Sequence, residues 1–527
     1  MNSLWYETFN KTQQFPQLSD DLSCDICIIG GGILGTTCAY YLTKQGFNVI
    51  ILEKDEIASK TTGNTTAKIT SQHGLFYSHL IDDYGHKFAR EYLEANEKAI
   101  KNIKNIIDNE KISCDFCYQN SYVYATSPEE LQSIHEEVSA VRSLNFPCEF
   151  APKVGLPFET LGSICFKNQA QFHPLKYVYG LCDAISDKAQ IFTHTTVTDI
   201  LHDTESYVVS CSPSSGYNSD MNFKTDIKTC ATEYQVRAKH VILASHYPFI
   251  NIPGFYFTKM YQSTSYLIAV DTKKSLFSGI YLSAASPTFS FRTAKFGNKN
   301  LLLIGGSDHK TGNYCNDAST YDVLENVAKT YYPDCEVLYR WNTRDCISLD
   351  KIPYVGLYSS NMPNLYVGTG FKKWGMTLSN ISANIIVDMI NGRENEYSSL
   401  FSSTRLHPIK NGDEFKNMMV QSTKSLFVDK VKKSHLEFDD IALNSGGIIE
   451  VNGDKVGIYK DLSGEIFAVK PICTHLGCLL SWNDVDKTWD CPCHGSRFDF
   501  SGKNLYEPAF KDLEKYDVWY LYHKSLM

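Results

Sequence analysis

Apolar positions along this chain fall into short runs and helical stripes whose order becomes informative after a polar lead-in at 1–23. Residues 26–29 form an apolar run, a glycine turn follows, 34–44 read as a helix, and 48–52 form a second apolar run. Short apolar runs of this size belong to strands buried on both faces, so the segment predicts a parallel βαβ unit. Phe88, Leu93, Ile100, Ile103 and Ile107 recur at helical spacing and predict one amphipathic helix over about 80–110. Strand-sized runs dominate 111–365, among them 121–125, 241–244, 266–270 and 301–304. Residues 365–367 predict a strand entering the turn Gly368-Thr369-Gly370, and 376–390 a helix ending at Asn391-Gly392. The stretch 395–432, rich in Ser, Lys and Asn, reads as a linker, whereas 447–460 and 464–469 alternate as antiparallel strands do. No internal repeat is visible.

A length of 527 residues suggests roughly three to four domain-sized units. With 43% hydrophobic and 21% charged residues the chain has enough apolar material for a large core. A net charge of −9 offers no electrostatic footprint for nucleic acid or an anionic membrane. No run reaches the ~18–20 apolar residues of a membrane span, and the N-terminus lacks a basic segment followed by an apolar one. A cytoplasmic protein with no membrane span is therefore expected.

Thirteen of the 17 cysteines are scattered from Cys24 to Cys346, as reduced packing residues are. The C-x-x-C pairs Cys24/Cys27 and Cys114/Cys117 have no partner pair, and His73, His79 and His86 fit no single ligand helix. Packing is expected of the cysteines, and solvated or capping roles of the three histidines.

Gly30-Gly31-Gly32-Ile33-Leu34-Gly35 fits G-x-G-x-x-G between a strand and a helix. Gly30 permits the tight turn, Gly32 lets the backbone approach a pyrophosphate, and Gly35 allows helix–strand contact, while the helix N-terminus offers N–H groups to the phosphates. Glu53 ends the second strand, where a carboxylate accepts ribose hydroxyls, followed by Lys54. This pattern alone does not separate NAD from FAD.

Two further segments do. Residues 59–68 read Ser-Lys-Thr-Thr-Gly-Asn-Thr-Thr-Ala-Lys and 368–377 read Gly-Thr-Gly-Phe-Lys-Lys-Trp-Gly-Met-Thr. With the fingerprint they make 24–392 resemble the FAD-dependent oxidoreductases of the glycine oxidase, D-amino acid oxidase and sarcosine oxidase type. The resemblance implies that the first segment, with Thr62 and Gly63, touches the pyrophosphate and the flavin edge. Val197 would hold the adenine by its backbone. The turn at Gly370 would open a helix whose first residues, Gly375 and Met376, face the flavin pyrimidine and whose dipole favours negative charge there. It also implies a discontinuous α/β Rossmann-like FAD domain within 1–400, with an inserted α+β antiparallel-sheet substrate domain from roughly 80–190 and 245–340. No catalytic residue carries over. His173, Lys372 and Trp374 are possible walls of a substrate site, though core or surface roles suit them, and Cys346 is a possible flavin attachment point.

Cys473-x-His475 and Cys491-x-x-His494 are separated by fifteen residues. Two thiolates can hold one iron and two neutral imidazoles a second, with sulfides between. Zinc is the alternative for such a set, but it leaves Cys478 and Cys493, at matching offsets after each loop, unexplained. Both loops resemble those of Rieske proteins of the cytochrome bc type, where cysteines at these two places form a disulfide. The resemblance implies a [2Fe-2S] cluster on Cys473, His475, Cys491 and His494 in an all-β domain over 433–527, after a 401–432 linker. Ser496 would hydrogen-bond a bridging sulfide, and Pro508, in Glu507-Pro508-Ala509, would shield the cluster, with Glu where the family has Gly. A Tyr expected two residues after Ser496 is Phe498.

The whole arrangement resembles bacterial FAD-dependent oxidoreductases with a C-terminal Rieske domain. It implies oxidation of a small-molecule substrate, an amine or amino acid, by hydride transfer to flavin, with electrons passing to the cluster and to a one-electron acceptor protein. An alternative is a flavin/Rieske electron-transfer protein fed by a donor reductase or NAD(P)H. A Rieske oxygenase needs a mononuclear iron on two His and a carboxylate, and no D-x-x-H-x-x-x-x-H pattern occurs.

Overall fold

Strand Leu22–Ile29 is buried along its second half, and that half sits between two parallel neighbours, Val49–Leu52 and Tyr234–Leu243. Ala189–Phe192 extends the sheet beyond Val49–Leu52; on the other side follow Leu365–Thr369 and, antiparallel, Tyr354–Leu357. The hairpin Thr195–Asp203/Ser206–Pro213 pairs onto Tyr234–Leu243. Helices Ile33–Lys44 and Gly375–Ile390 pack together on one face, because both are buried nearly all round. This computed structural model describes residues 3–214, 233–251, 253–313, 320–405 and 436–517.

A second, nine-stranded sheet stands against the first. Its order is Glu336–Ser348, Met260–Asp271, Lys299–Lys310, Ser290–Phe296, Ile280–Ser283, Cys117–Ala125, Gly162–Gln171 and Lys68–Ile69, with Glu149–Ala151 paired to Gly162–Gln171. Its pairings are antiparallel apart from Ile280–Ser283 on Cys117–Ala125. The C-terminal unit holds two small antiparallel sheets, Ser445–Val451/Asp454–Lys460/Ile466–Val469 and Ser481–Asn483/Thr488–Asp490/Arg497–Asp499/Asn504–Tyr506. No helix among the described residues is long and apolar enough to cross a membrane.

Three expectations need correction. The helix expected over 80–110 is two, Tyr77–Tyr84 and His86–Asn109, broken at Gly85. The strand-dominated stretch 111–365 also contains helices Pro128–Ser143, Pro174–Ile185 and Thr320–Tyr331. Two of these carry readable start signals: the Ser127 hydroxyl accepts from the Glu130 N–H and His173 Nδ1 from the Lys176 N–H, each with Pro at the first helical position. The run 447–460 is two strands turning at Asn452-Gly453. The expected linker lies, beyond residue 405, outside the described residues, as do 433–435 and 518–527.

The C-terminal unit is braced by one cation. Arg497, fully buried, reaches Asp486 Oδ2 at 2.8 Å and Asp490 Oδ2 at 2.5 Å. Arg497→Met strands two buried carboxylates, which costs about 3–5 kcal/mol. Hydrogen exchange across 445–513 should accelerate at least a hundredfold while the rest of the chain keeps its protection.

Candidate active site and metal centre

A cavity of about 1380 Å³, its open mouth included, runs along the C-terminal ends of the parallel strands. That is where a doubly wound sheet receives a nucleotide. Gly30 turns the chain at φ 111°, and a Cβ there would stand 2.6 Å from the Ala244 carbonyl oxygen. Gly32 caps the following helix, and the Thr62 hydroxyl accepts from the Ile33 N–H at 3.2 Å. The Glu53 carboxylate accepts from the N–H groups of Gly31 (2.7 Å) and Asp55 (2.9 Å), while burial pushes its pKa up to about 7.

Of the residues expected to hold FAD, Gly30, Gly32, Glu53, Lys54, Thr62, Val197, Gly375 and Met376 line this one cavity. Gly35, Gly63 and Gly370 stand behind its wall: Gly35 against Gly30, Gly63 against Ala58 and Tyr6, Gly370 against Met260 and Ser348. Gly375 and Met376 open the sixteen-residue helix Gly375–Ile390, so its positive end faces the cavity. The Ser59 hydroxyl and His246 Nε2, both on the lining, are buried without a partner among the described residues. A polyhydroxylated dinucleotide would supply partners for both, so the donor set fits FAD.

A second cavity of about 700 Å³ adjoins the first, sharing Thr65, Asp345 and Lys373 with it. Its walls come from the nine-stranded sheet and from Trp374, which stacks on His73 with ring centroids 4.7 Å apart. Ser265 Oγ and Thr343 Oγ1, paired across two strands, are buried there without partners among the described residues. Burial pushes Asp345 up to about 6, and burial together with Arg292 and Lys373 pulls Lys68 down to about 7. Lys373 pairs with Asp308 at 2.9 Å.

Trp374 is thus a wall residue. His173 instead caps a helix and meets the Thr8 hydroxyl at 3.0 Å, and the Lys372 ammonium lies 3.6 Å from the centre of the Phe76 ring. Cys346 packs in a core with Met260 and Tyr247 and lines neither cavity. His73 meets the Tyr92 hydroxyl, His79 pairs with Asp83, and His86 opens a helix, so the three stand apart. Sequence reasoning gave Asp345, Lys373 and Lys68 no role of their own, although Lys68 ends the segment 59–68 and Lys373 lies within 368–377, because a motif does not show which side chains the sheets bring to one cavity.

In the C-terminal unit the two Cys/His loops close alike. The Gly477 N–H donates to the Cys473 carbonyl at 2.9 Å, and the Gly495 N–H to the Cys491 carbonyl at 3.0 Å. Cys473, Cys491 and His494 are buried, and the rings of His475 and His494 stand edge to face with centroids 5.1 Å apart. Both Nδ1 atoms are buried without a partner among the described residues. His475 Nε2 donates to Asn251 Oδ1 at 2.7 Å, which leaves the lone pair on Nδ1. Burial holds both histidines well below their ordinary range, near 4 and 3, hence neutral.

The Cys473 thiol is lowered to about 7, first by the Cys491 thiol, then by the N–H groups of His475 and Leu476 and the Ser496 hydroxyl. Three sulfurs, of Cys478, Cys491 and Cys493, lie within 4.8 Å of one another, but Cys478 and Cys493 are joined as a disulfide. The free donors are therefore two thiols and two imidazoles. Two inward Nδ1 atoms beside sulfurs already surrounded by donors fit a two-iron cluster.

Ser496 Oγ also accepts from the Ala509 N–H at 3.0 Å, linking the second loop to Glu507-Pro508-Ala509. Phe498 is buried in the core shared with Cys473 and Cys491. A hydroxyl at this position would add one hydrogen bond toward ligand sulfur, worth about 1 kcal/mol or, for a one-electron couple, about 40 mV. Phe498→Tyr should raise the cluster's midpoint potential by that order in an EPR-monitored redox titration.

Residues 25–389 match the family described as FAD dependent oxidoreductase, and 436–517 match the Rieske [2Fe-2S] domain. A Bacillus subtilis (strain 168) protein named putative Rieske 2Fe-2S iron-sulfur protein YhfW is 35% identical over 515 residues, 98% of this chain and 97% of that one. Gamma-glutamylputrescine oxidoreductase of Escherichia coli (strain K12) is 22% identical over 426 residues, 78% of this chain and 93% of its own. Glycine oxidase from Geobacillus kaustophilus superposes with a TM-score of 0.60 at 18% identity, covering 73% of this chain and 100% of that one. That likeness establishes the fold of the body.

Proposed function

We propose that this chain, which belongs to the FAD-dependent oxidoreductase family and ends in a Rieske [2Fe-2S] domain, oxidises a small amine or amino acid by hydride transfer to FAD and passes the electrons to its cluster. On the same reading the body spans 1–400 and the Rieske domain 433–527. FAD is held by the cavity residues named above and the cluster by Cys473, His475, Cys491 and His494. Bound there, FAD supplies a two-electron hydride acceptor and the cluster a one-electron carrier.

The observation that carries the substrate reading is the polar second cavity that opens into the nucleotide cavity at Asp345. Lys373 is already paired with Asp308, and of the charged residues lining this cavity Asp345 and Lys68 are in no ion pair among the described residues. Asp345, shared by both cavities, draws a substrate ammonium to their junction. Lys68 lines only the second cavity and offers a cation to a carboxylate farther from that junction. The hydroxyls of Ser265 and Thr343 complete the polar wall. Trp374 closes one side against water. In support of this reading, one relative is named gamma-glutamylputrescine oxidoreductase, and a solved structure of the same fold is a glycine oxidase.

Anaerobic screening of amines and amino acids, following flavin absorbance and the cluster's EPR signal together, tests the proposal. Bleaching that brings up the paramagnetic cluster supports it. Bleaching by NADH with none by any amine would replace it with an electron-transfer protein fed by a nucleotide or reductase.

Two consequences are specific. Asp345→Asn removes the charge opposite the ammonium and should lower kcat/KM about thirtyfold or more, an effect of about 2 kcal/mol; Lys68→Met should raise KM for amino acids and spare simple amines. Asp345 is protonated below its raised pKa of about 6, so kcat/KM should climb as pH rises through that value and the limb should vanish in Asp345→Asn.

A further inference from the structure

The wall of the nucleotide cavity is not built from the FAD domain alone. Tyr506, Glu507 and Phe510, from the far end of the sequence, line it together with Glu53, Lys54 and Lys60. The Tyr506 ring is gripped by two cations, with the Arg344 guanidinium 3.8 Å and the Lys60 ammonium 4.7 Å from its centroid. Lys60 Nζ donates to the Leu505 carbonyl at 3.0 Å, Lys54 Nζ donates to Asn504 Oδ1 at 2.9 Å, and Lys54 lies 3.9 Å from Glu507. Phe510 remains 46% exposed at the cavity, apolar surface that a bound ligand would cover.

The same loop is pinned to the cluster site. The Glu507 carbonyl accepts from Gln262 Nε2 at 2.8 Å, and Gln262 Nε2 also donates to the His494 carbonyl at 3.1 Å. The Ala509 N–H donates to Ser496 Oγ, whose hydroxyl meets the Cys473 sulfur. Three residues of one loop thus reach from the nucleotide cavity to a cluster ligand.

We infer that loop 504–510 of the Rieske domain is part of the FAD-binding site, so that FAD binding and seating of the Rieske domain are one linked equilibrium. This rests on the reading that the cavity holds FAD. A ligand contacting both units favours their docked arrangement, and docking raises affinity for the ligand by the same factor. Tyr506 acts as a positioning residue: its ring, clamped by Arg344 and Lys60, closes the wall, and its hydroxyl is not required.

FAD affinity is measured by flavin fluorescence quenching on the full-length, cluster-loaded, FAD-stripped protein. Tyr506→Ala should raise the Kd about tenfold with iron and sulfide content unchanged. Tyr506→Phe should stay within about twofold of the parent. A second arm uses the parent chain: adding FAD should slow hydrogen exchange at 504–510. An unchanged Kd in Tyr506→Ala together with unchanged exchange at 504–510 overturns the linkage alone. A parent chain that binds no FAD overturns the cavity reading with it.

Discussion

Gln262 sits where the two functional halves of the molecule meet, and its one amide donates to both the His494 and Glu507 carbonyls. That contact demands close approach. A Cβ on Gly495, whose φ is 85°, would stand 2.6 Å from the Gln262 Cβ, and one on Gly312 would stand 2.5 Å from Pro492. The seam therefore tolerates no side chain at either position. Asn251 and Phe257 complete it: the first fixes the His475 proton, and the second sets its ring edge-on to both histidines, with centroids 6.2 and 5.7 Å away. The histidine edge of the cluster site is thus turned into the protein, toward the body that carries the nucleotide cavity.

Strand Glu336–Ser348 distributes chemistry by its two-residue period. Thr343 and Asp345 face the cavities, while Arg344 turns to Tyr506 and Cys346 to the core. A shift of one residue in its pairing with Met260–Asp271 would turn Arg344 into the second cavity and Asp345 toward the Rieske loop. The register that builds the wall of the second cavity is therefore the register that docks the C-terminal unit.

What could be read in the sequence was local. The fingerprint, Glu53 and the two Cys/His loops each place their donors within a few residues, where backbone geometry alone decides the arrangement. The missing parts are long-range. Asp345 joins Lys68 across 277 positions by sheet pairing and packing, and Tyr506 joins Lys60 across 446. No spacing rule reaches that far. Glu507-Pro508-Ala509 stood out as a cluster shield, yet nothing local marks its second contact, the nucleotide cavity. The helix starting at Pro128 is a different kind of miss, because Ser127-Pro128-Glu129-Glu130 announces it and the surrounding strand-like runs hid the signal.

The turn before the late helix shows how the body holds its site in place. Lys372 and Lys373 adopt φ of 47° and 71°, the left-handed region that a non-glycine residue enters at a cost of about 1–3 kcal/mol. Each is tied from outside the turn: the Lys372 N–H to the Cys346 carbonyl at 3.0 Å, the Lys373 ammonium to Asp308, and the next residue, Trp374, by its stack on His73. The cost is met by contacts to three other parts of the body. What it secures is direction, because the reversed backbone aims Lys373 at the junction of the two cavities and starts the helix whose first residues face the nucleotide. Relaxing the turn would release the helix N-terminus and the wall of the second cavity together.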